Sequence, residues 1–475
     1  MKNLKDRKEG YLKMVKAIAK KLDSYMDKQL TGNTMNYKQV LSIFIPILID
    51  QAFIVGLSML NTIMISSSGV AAVSAVGMVD TINIFLLNVF IAIATGGTVV
   101  VAQYKGNGNE EMVKKSIEQT ISAVGLIAFV ISAIVIIFHN PILNILFGEA
   151  EKAVLDNARI YLIGSCISFT FIAIVEAVCG VLRGIAQSKP SMMLSLVMNI
   201  LYVILNLIFI VVFDMGIMGM VISLIVSRAI AMFISIIYIV SDKNLQIRFL
   251  DIIKIDLNIQ RKVLYIGIPC AAEQLFFNGG KLLTQTFIVQ LGTYAIAVNT
   301  ISNVITNLFQ IVANSLCLAI VTVVGQCIGH GDVEDARKYI KSFLKITAIS
   351  YIIVVGILLP FYPFIVQLFS PPQEIVGTIF IVVAITGVFA PFLWPASFVI
   401  PSALRAAGDS KFPFVVSLLT MWLFRVVLGY VLGIVLPFGI TGVWIAMIAE
   451  WAIRSMIFYK RYQGTKWYQH QLIEK

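Results

Sequence analysis

The sequence predicts an all-α integral membrane protein: twelve transmembrane helices in two six-helix lobes. Three observations carry that prediction. Of 475 residues, 59% are hydrophobic and only 13% charged, with a mean hydropathy of +0.91, whereas a soluble domain carries about 25% charged residues. Twelve apolar runs reach the ~20 residues a helix needs to cross ~30 Å of hydrocarbon. Separate sequence blocks of the first half recur in the second half in one nearly constant register.

Residues 1–37 place Lys2, Lys5, Arg7, Lys8, Lys13, Lys16, Lys20, Lys21 and Lys28 among Tyr11, Leu12, Val15, Ile18 and Leu22 at helical spacing. That pattern suits either a basic amphipathic helix on an anionic leaflet or a solvated basic tail, and it is too polar for a signal peptide. The first lobe is expected over 38–240, with spans near 39–65, 78–103, 117–138, 159–181, 190–213 and 216–240. A charged linker, 241–261, leads to the second lobe over 262–460, with spans near 262–291, 297–326, 343–366, 377–401, 412–434 and 439–459, and residues 461–475 form a tail.

Loop charge tests the count. Counting from an inside amino terminus, the inner connections hold Lys105, Lys114, Lys115, Arg183, Lys189, Lys243, Arg248, Lys254, Arg261, Lys262, Arg337, Lys338, Lys341, Arg405 and Lys411, and the outer ones Lys152 alone. Positive charge concentrates on cytoplasmic loops, so both termini are expected in the cytoplasm and the chain in the cytoplasmic membrane. The formal net charge of +11 belongs to these loops, and no nucleic-acid partner is expected. The five cysteines lie in or beside apolar spans without a C-x-x-C spacing and read as reduced core residues.

The duplication runs through the whole chain. Pro46, Asp50, Gln51 and Phe53 fall on Pro269, Glu273, Gln274 and Phe276; Gln103 falls on Gln326; Leu182-Arg183 falls on Leu404-Arg405; and Gly216 falls on Gly439. Six helices per half is an even number, so both lobes insert in the same orientation, related by an axis along the membrane normal, with a cleft between them.

Several chemistries are excluded. The chain has no G-x-x-x-x-G-K-[ST] loop, no H-E-x-x-H and no G-x-S-x-G, and its histidines, His139, His330 and His470, lie in connections or the tail. ATP hydrolysis and the usual hydrolase routes are therefore removed; no enzyme activity and no cofactor are expected.

The repeat blocks, with Gln103 to Gly108, Leu182-Arg183-Gly184, Ser188-Lys189-Pro190, Leu291-Gly292-Thr293 and Arg425, resemble the multidrug and toxic compound extrusion (MATE) transporters over nearly all of 40–460. The resemblance implies a V-shaped pair of lobes that exports organic, often cationic and aromatic compounds against inward sodium or proton flow. In many members an aspartate in helix 1 and an asparagine-aspartate pair in helix 5 bind the coupling cation. Asn61 and Asn206 stand at the two aspartate positions, with Tyr202 one turn before Asn206; a neutral amide carries no proton, so that amino-terminal site departs from the pattern.

An acid inside a membrane span is a functional candidate by default. Asp50, Glu176, Glu273 and Glu450 are the candidates identified in the spans. Glu273 ranks first for cation coupling, beside Gln274 and on one helix face with Phe277 and Lys281, with a Glu273–Lys281 staple as the structural alternative. Asp50 follows, expected to face Glu273 across the cleft with Gln51 and Asn61 as further oxygen donors; a sodium ion could sit at either acid. Glu176 reads as a coupling residue or an Arg183 partner, and Glu450 as an ion pair with Arg454. For substrate, Phe276, Phe277, Lys281, Phe392, Trp394 and Met59 are expected to offer aromatic, thioether and charged contacts. The reading is secondary active efflux by a monomer; the alternatives are a lipid-linked sugar flippase and a non-transporting membrane sensor.

Overall fold

The computed structural model describes residues 23–66, 70–148, 150–470 and 472–473, with the side chains of 58–66 and 70–71 left aside. Among the described residues, twelve long helices carry the fold. In the first lobe they are α1 (Tyr37–Ser66), α2 (Val70–Gly106), α3 (Glu110–Ile137), α4 (Lys152–Gly184), α5 (Ser188–Asn206) and α6 (Gly216–Ser241). In the second they are α7 (Leu257–Gln290), α8 (Thr293–His330), α9 (Val333–Leu358), α10 (Gln373–Ala406), α11 (Lys411–Thr420) and α12 (Gly439–Gln463).

Eleven of these, counting α11 with its extension, are long and apolar enough to span a membrane. The exception is α7, whose 34 residues include Glu273, Gln274, Asn278 and Lys281. Most helices overrun the apolar windows read from sequence: α3 begins at Glu110 and α8 runs on to His330. Their ends are polar turns, which a hydropathy window does not register. The expected helix within residues 1–22 lies outside the described residues.

The repeat is visible in details too small for a hydropathy pattern. Short helices His139–Phe147 and Tyr362–Gln367 follow α3 and α9 at matched positions. Both α5 and α11 continue into π-helix, over Leu207–Val212 and over Met421–Leu428 and Val431–Val435 respectively; such turns are frequent at functional sites.

The block after α2 and its copy after α8 each make a turn that restarts a helix. Gly108 and Gly331 take φ of 73° and 88°, where a side chain on Cβ is disfavoured. Asn109 and Asp332 follow as side-chain N-caps, accepting from the backbone N–H of Met112 and Asp335, which satisfies donors a helix start leaves open. Two residues before each positive-φ glycine, the helices cross between lobes: a Cβ on Gly106 would lie 2.0 Å from the Gln326 carbonyl oxygen, and one on Gly329 1.9 Å from that of Gln103.

The glutamines at this crossing exchange partners. Gln103 Nε2 donates to the Ala406 carbonyl at 2.8 Å, and Gln326 Nε2 to the Gly184 carbonyl at 2.9 Å. Thr322 adds a bond to the Arg183 carbonyl at 2.9 Å. Residues 31–36 also lie on α9: the Gly32 N–H donates to Tyr339 Oη at 3.0 Å and the Thr34 N–H to Asp335 Oδ2 at 2.8 Å. The lobes are thus joined at the end of the bundle that bears the basic connections.

Candidate functional site

A cavity of about 420 Å³ sits between the lobes, above that junction. Its acids sit at mid-helix, Asp50 near the middle of α1 and Glu273 near the middle of α7. Both line the cavity, with Gln51, Gln274, Glu176, Arg183, Ser195, Cys317 and Arg405.

Each principal acid is held by a serine and an arginine of its own lobe. Glu273 Oε1 accepts from Ser417 Oγ at 2.8 Å and from Arg405 Nη2 at 3.3 Å. Asp50 hydrogen-bonds Ser195 and lies in the field of Arg183. Arg183 to Arg405 and Ser195 to Ser417 are equal steps along the chain, so the duplication carries the whole acid–arginine–serine set. Glu176 lies near Arg183 and Asp50 on the same wall. Counted formally, three carboxyl groups face two guanidiniums there, one acid in excess.

Sequence reasoning counted both arginines as loop charge, with Arg183 named otherwise as a partner for Glu176, and placed neither beside Asp50 or Glu273. Arg183 lies one residue before the end of α4 and Arg405 one before the end of α10. Helical side chains point back toward the amino terminus of their helix, so both reach into the bundle instead of out into the connection. Their recurrence in register with the acids was the available signal.

Lys281 does not staple Glu273. Two helical turns separate them, about 12 Å along the axis, and Arg405 on α10 approaches Glu273 directly. The Lys281 ammonium stands 4.8 Å from the centroid of the Phe277 ring. Arg425 and Arg454 approach the same ring at 5.4 and 5.7 Å. The expected Glu450–Arg454 pair is present at 2.9 Å, and Arg425 Nε comes within 2.7 Å of the other Glu450 oxygen without hydrogen-bond alignment.

The remaining aromatic candidates do not line the central cavity. Trp394 is 1% exposed and stacks on Phe398 at 4.6 Å, beside Tyr351, a core role set by the α9–α10 packing. Phe392 is 73% exposed on the outer surface, two positions from Trp394 and so on the opposite side of α10. Phe276 is also exposed and packs against Phe414. The side chains of Asn61 and Met59 lie outside the described residues.

Asn206 belongs to a separate polar cluster inside the first lobe, hydrogen-bonded to Tyr202. Nearby, Tyr161 Oη donates to Asp80 Oδ1 at 2.9 Å and Asn83 Nδ2 donates to the same oxygen at 3.2 Å, while Arg228 donates to Ser168 at 2.6 Å. Asp80 was passed over as an intramembrane acid because it falls at the edge of the apolar window, whose third residue it is, whereas α2 begins at Val70 and places it well inside the helix.

The sequence profile described as MatE matches the chain twice, over residues 46–208 and 269–431. The starts and the ends of the two matches are separated by the same interval that separates Asp50 from Glu273, the register found from the chain alone. Among curated relatives, the uncharacterized transporter YisQ of Bacillus subtilis is 27% identical, covering 89% of this chain and 93% of its own length. The probable multidrug resistance protein NorM of Thermotoga maritima is 24% identical over 92% of this chain and 94% of that protein. Among solved structures, an outward-facing multidrug resistance MATE family transporter superposes with a TM-score of 0.82 at 18% identity, covering 90% of this chain and 95% of that one. A mutant of the Vibrio cholerae MATE transporter VcmN gives 0.82 at 19%, covering 91% and 98%.

Proposed function

This chain belongs to the MatE family of multidrug efflux transporters, and from that premise we propose that it exports organic cations through the central cavity in exchange for sodium or protons. The observation that supports this reading is the pair of acid–arginine–serine sets facing one cavity that holds an excess of carboxylate. An amphipathic cation is held by desolvation of its apolar part and by an opposite charge, and the excess acid of the cavity supplies that charge.

Coupling follows from competition for the acids. Glu273 is paired with Arg405 and accepts a hydrogen bond from Ser417. A sodium ion or proton arriving at the carboxylate weakens that attachment, and the loaded and empty forms then favour different lobe arrangements. Asp50 plays the equivalent part with Arg183 and Ser195, with Glu176, Gln51 and Gln274 as neighbouring oxygen donors. Asn206 and Tyr202 with Asp80 would form a second polar station in the first lobe. In this reading the protein acts as a monomer in the cytoplasmic membrane with both termini in the cytoplasm. It needs no cofactor beyond the transported ion and has no enzymatic step. A lipid-linked pyrophosphate is a poor fit to a central cavity with an acid in excess.

The test is Glu273→Gln in proteoliposomes, following export of a fluorescent organic cation under an imposed sodium or pH gradient. Gradient-driven export is expected to fall at least tenfold. Undiminished export in that variant removes Glu273 from coupling, and equal export with no gradient rejects antiport.

A further inference from the structure

A second cavity of about 300 Å³ lies within the second lobe, with Lys281, Arg425, Gln285, Asn299, Asn303 and Trp444 in its wall. Its polarity is opposite to that of the central cavity. Two cationic side chains face it, and no acid is among its lining residues.

The local charge does not balance. Lys281, Arg425 and Arg454 share one ring, Phe277, and one carboxylate, Glu450, which is fully buried. Glu450 is already engaged by both arginines at 2.7 and 2.9 Å, and Arg454 also lies in the field of Glu273, so Lys281 is the cation of this group left without an ion-pair partner among the described residues. The Nε of Arg425 faces a Glu450 oxygen without hydrogen-bond alignment, and that of Arg454 has no hydrogen-bond partner. Cation–π contact recovers less than burying an uncompensated ion costs. The site therefore favours an added negative charge.

The rest of the lining suits an organic anion. The Asn299 side chain links the wall: its Nδ2 donates to Gln285 Oε1 at 3.0 Å, and its Oδ1 accepts from Trp444 Nε1 at 3.2 Å and Asn303 Nδ2 at 3.1 Å. This fixes a polar surface opposite Lys281, while Trp444, Ile288, Val443 and Met447 provide apolar area. The volume equals about ten water molecules at roughly 30 Å³ each, enough for a small aromatic acid. Lys281 lies nine residues before the end of α7, about 14 Å along the helix at roughly 1.5 Å per residue, on the end away from the basic connections.

We propose that this cavity is a binding site for a small organic carboxylate, held between the Lys281 ammonium and the Arg425 guanidinium. It is separate from the central cavity, so it does not depend on how the central acids work. In the first lobe, the position matching Asn303 is Asp80 and the one matching Glu450 is Ser227, so the two lobes differ in charge at equivalent places.

The experiment is equilibrium binding of benzoate to the purified full-length protein in nanodiscs at neutral pH, with benzamide as the neutral isostere. Lys281→Met is the informative variant because it leaves the Glu450 cluster intact; Lys281→Arg restores the charge. Saturable benzoate binding is expected in the wild type, retained in Lys281→Arg and in Glu273→Gln, weakened at least tenfold in Lys281→Met, and absent for benzamide. The proposal is overturned if benzoate does not saturate, if Lys281→Met binds as the wild type does, or if benzamide binds equally. Loss of benzoate binding in Glu273→Gln would also overturn it, by moving the anion to the central cavity.

Discussion

Glu273 and Asp50, equivalent positions of the two halves, line one cavity from opposite lobes, each beside an arginine and hydrogen-bonded to a serine supplied by its own half. The duplicated unit is thus a charge-compensated set, and its members are expected to respond to mutation as a set.

Arg405→Met removes the cation from Glu273 and leaves a mostly buried carboxylate with Ser417 alone. A hydrogen bond to a charged group contributes about 1.5–3 kcal/mol, so a stability loss of about 2 kcal/mol is expected in chemical or thermal unfolding. The double variant Glu273→Gln with Arg405→Met removes both charges and is expected to recover most of that loss. Additive losses in the double variant would show that the two residues do not interact.

The amide bonds from Gln103 and Gln326 hold the lobes together at the basic end. A single hydrogen bond contributes about 1 kcal/mol net, or roughly fivefold in an equilibrium. Gln103→Ala is therefore expected to raise the open population at that end several-fold. Labelling of Cys317, which lines the central cavity, by a membrane-impermeant maleimide added from the basic side should accelerate to match. Gln326→Ala should do the same to a similar extent, and a large difference between the two would argue against equivalent roles.

Trp394→Ala is expected to act on stability and not on substrate affinity. The side chain is stacked between Tyr351 and Phe398 in the core, and truncation of a buried tryptophan costs about 3–5 kcal/mol. A lower melting temperature with an unchanged KM for an exported dye is the expected pair of results; a raised KM with unchanged stability would put Trp394 in the substrate path.

The contact between residues 31–36 and α9 carries an acid-sensitive element outside the membrane spans. The Asp332 carboxyl is held below the usual carboxylate range, first by the backbone N–H of Asp335 and then by the side chain of Asn33. Because its folded value is depressed, its contribution is complete above the unfolded value of about 3.9 and is lost as pH falls through the lower folded value. Proteolysis near residues 31–36 should rise along that acid limb, and Asp332→Asn should flatten it. An unchanged limb would remove Asp332 from the acid sensitivity of this contact.

The membrane class, the helix count and the facing acids could be read from the sequence because each leaves a one-dimensional trace: apolar runs, loop charge and a constant offset. Other parts depend on side-chain direction, which a linear pattern does not carry. Arg183 and Arg405 look like loop charge until the backward lean of helical side chains brings them into the bundle. Trp394, one residue from Pro395 in a helix with three prolines, looks like part of a cavity wall, yet the packing of α9 against α10 encloses it. Lys281 shares a helix face with Glu273 in a wheel projection, but the rise per turn separates them and Phe277 receives it.

The acceptors at the lobe junction, Gly184 and Ala406, are the last residues of α4 and α10. Carbonyls at a helix end have no partner within their own helix, and water reaches them readily once the lobes part. Separating the lobes therefore exchanges two amide donors for two waters instead of stranding buried groups. Since the two contacts are related by the internal repeat, both halves of the junction pass to water in the same way.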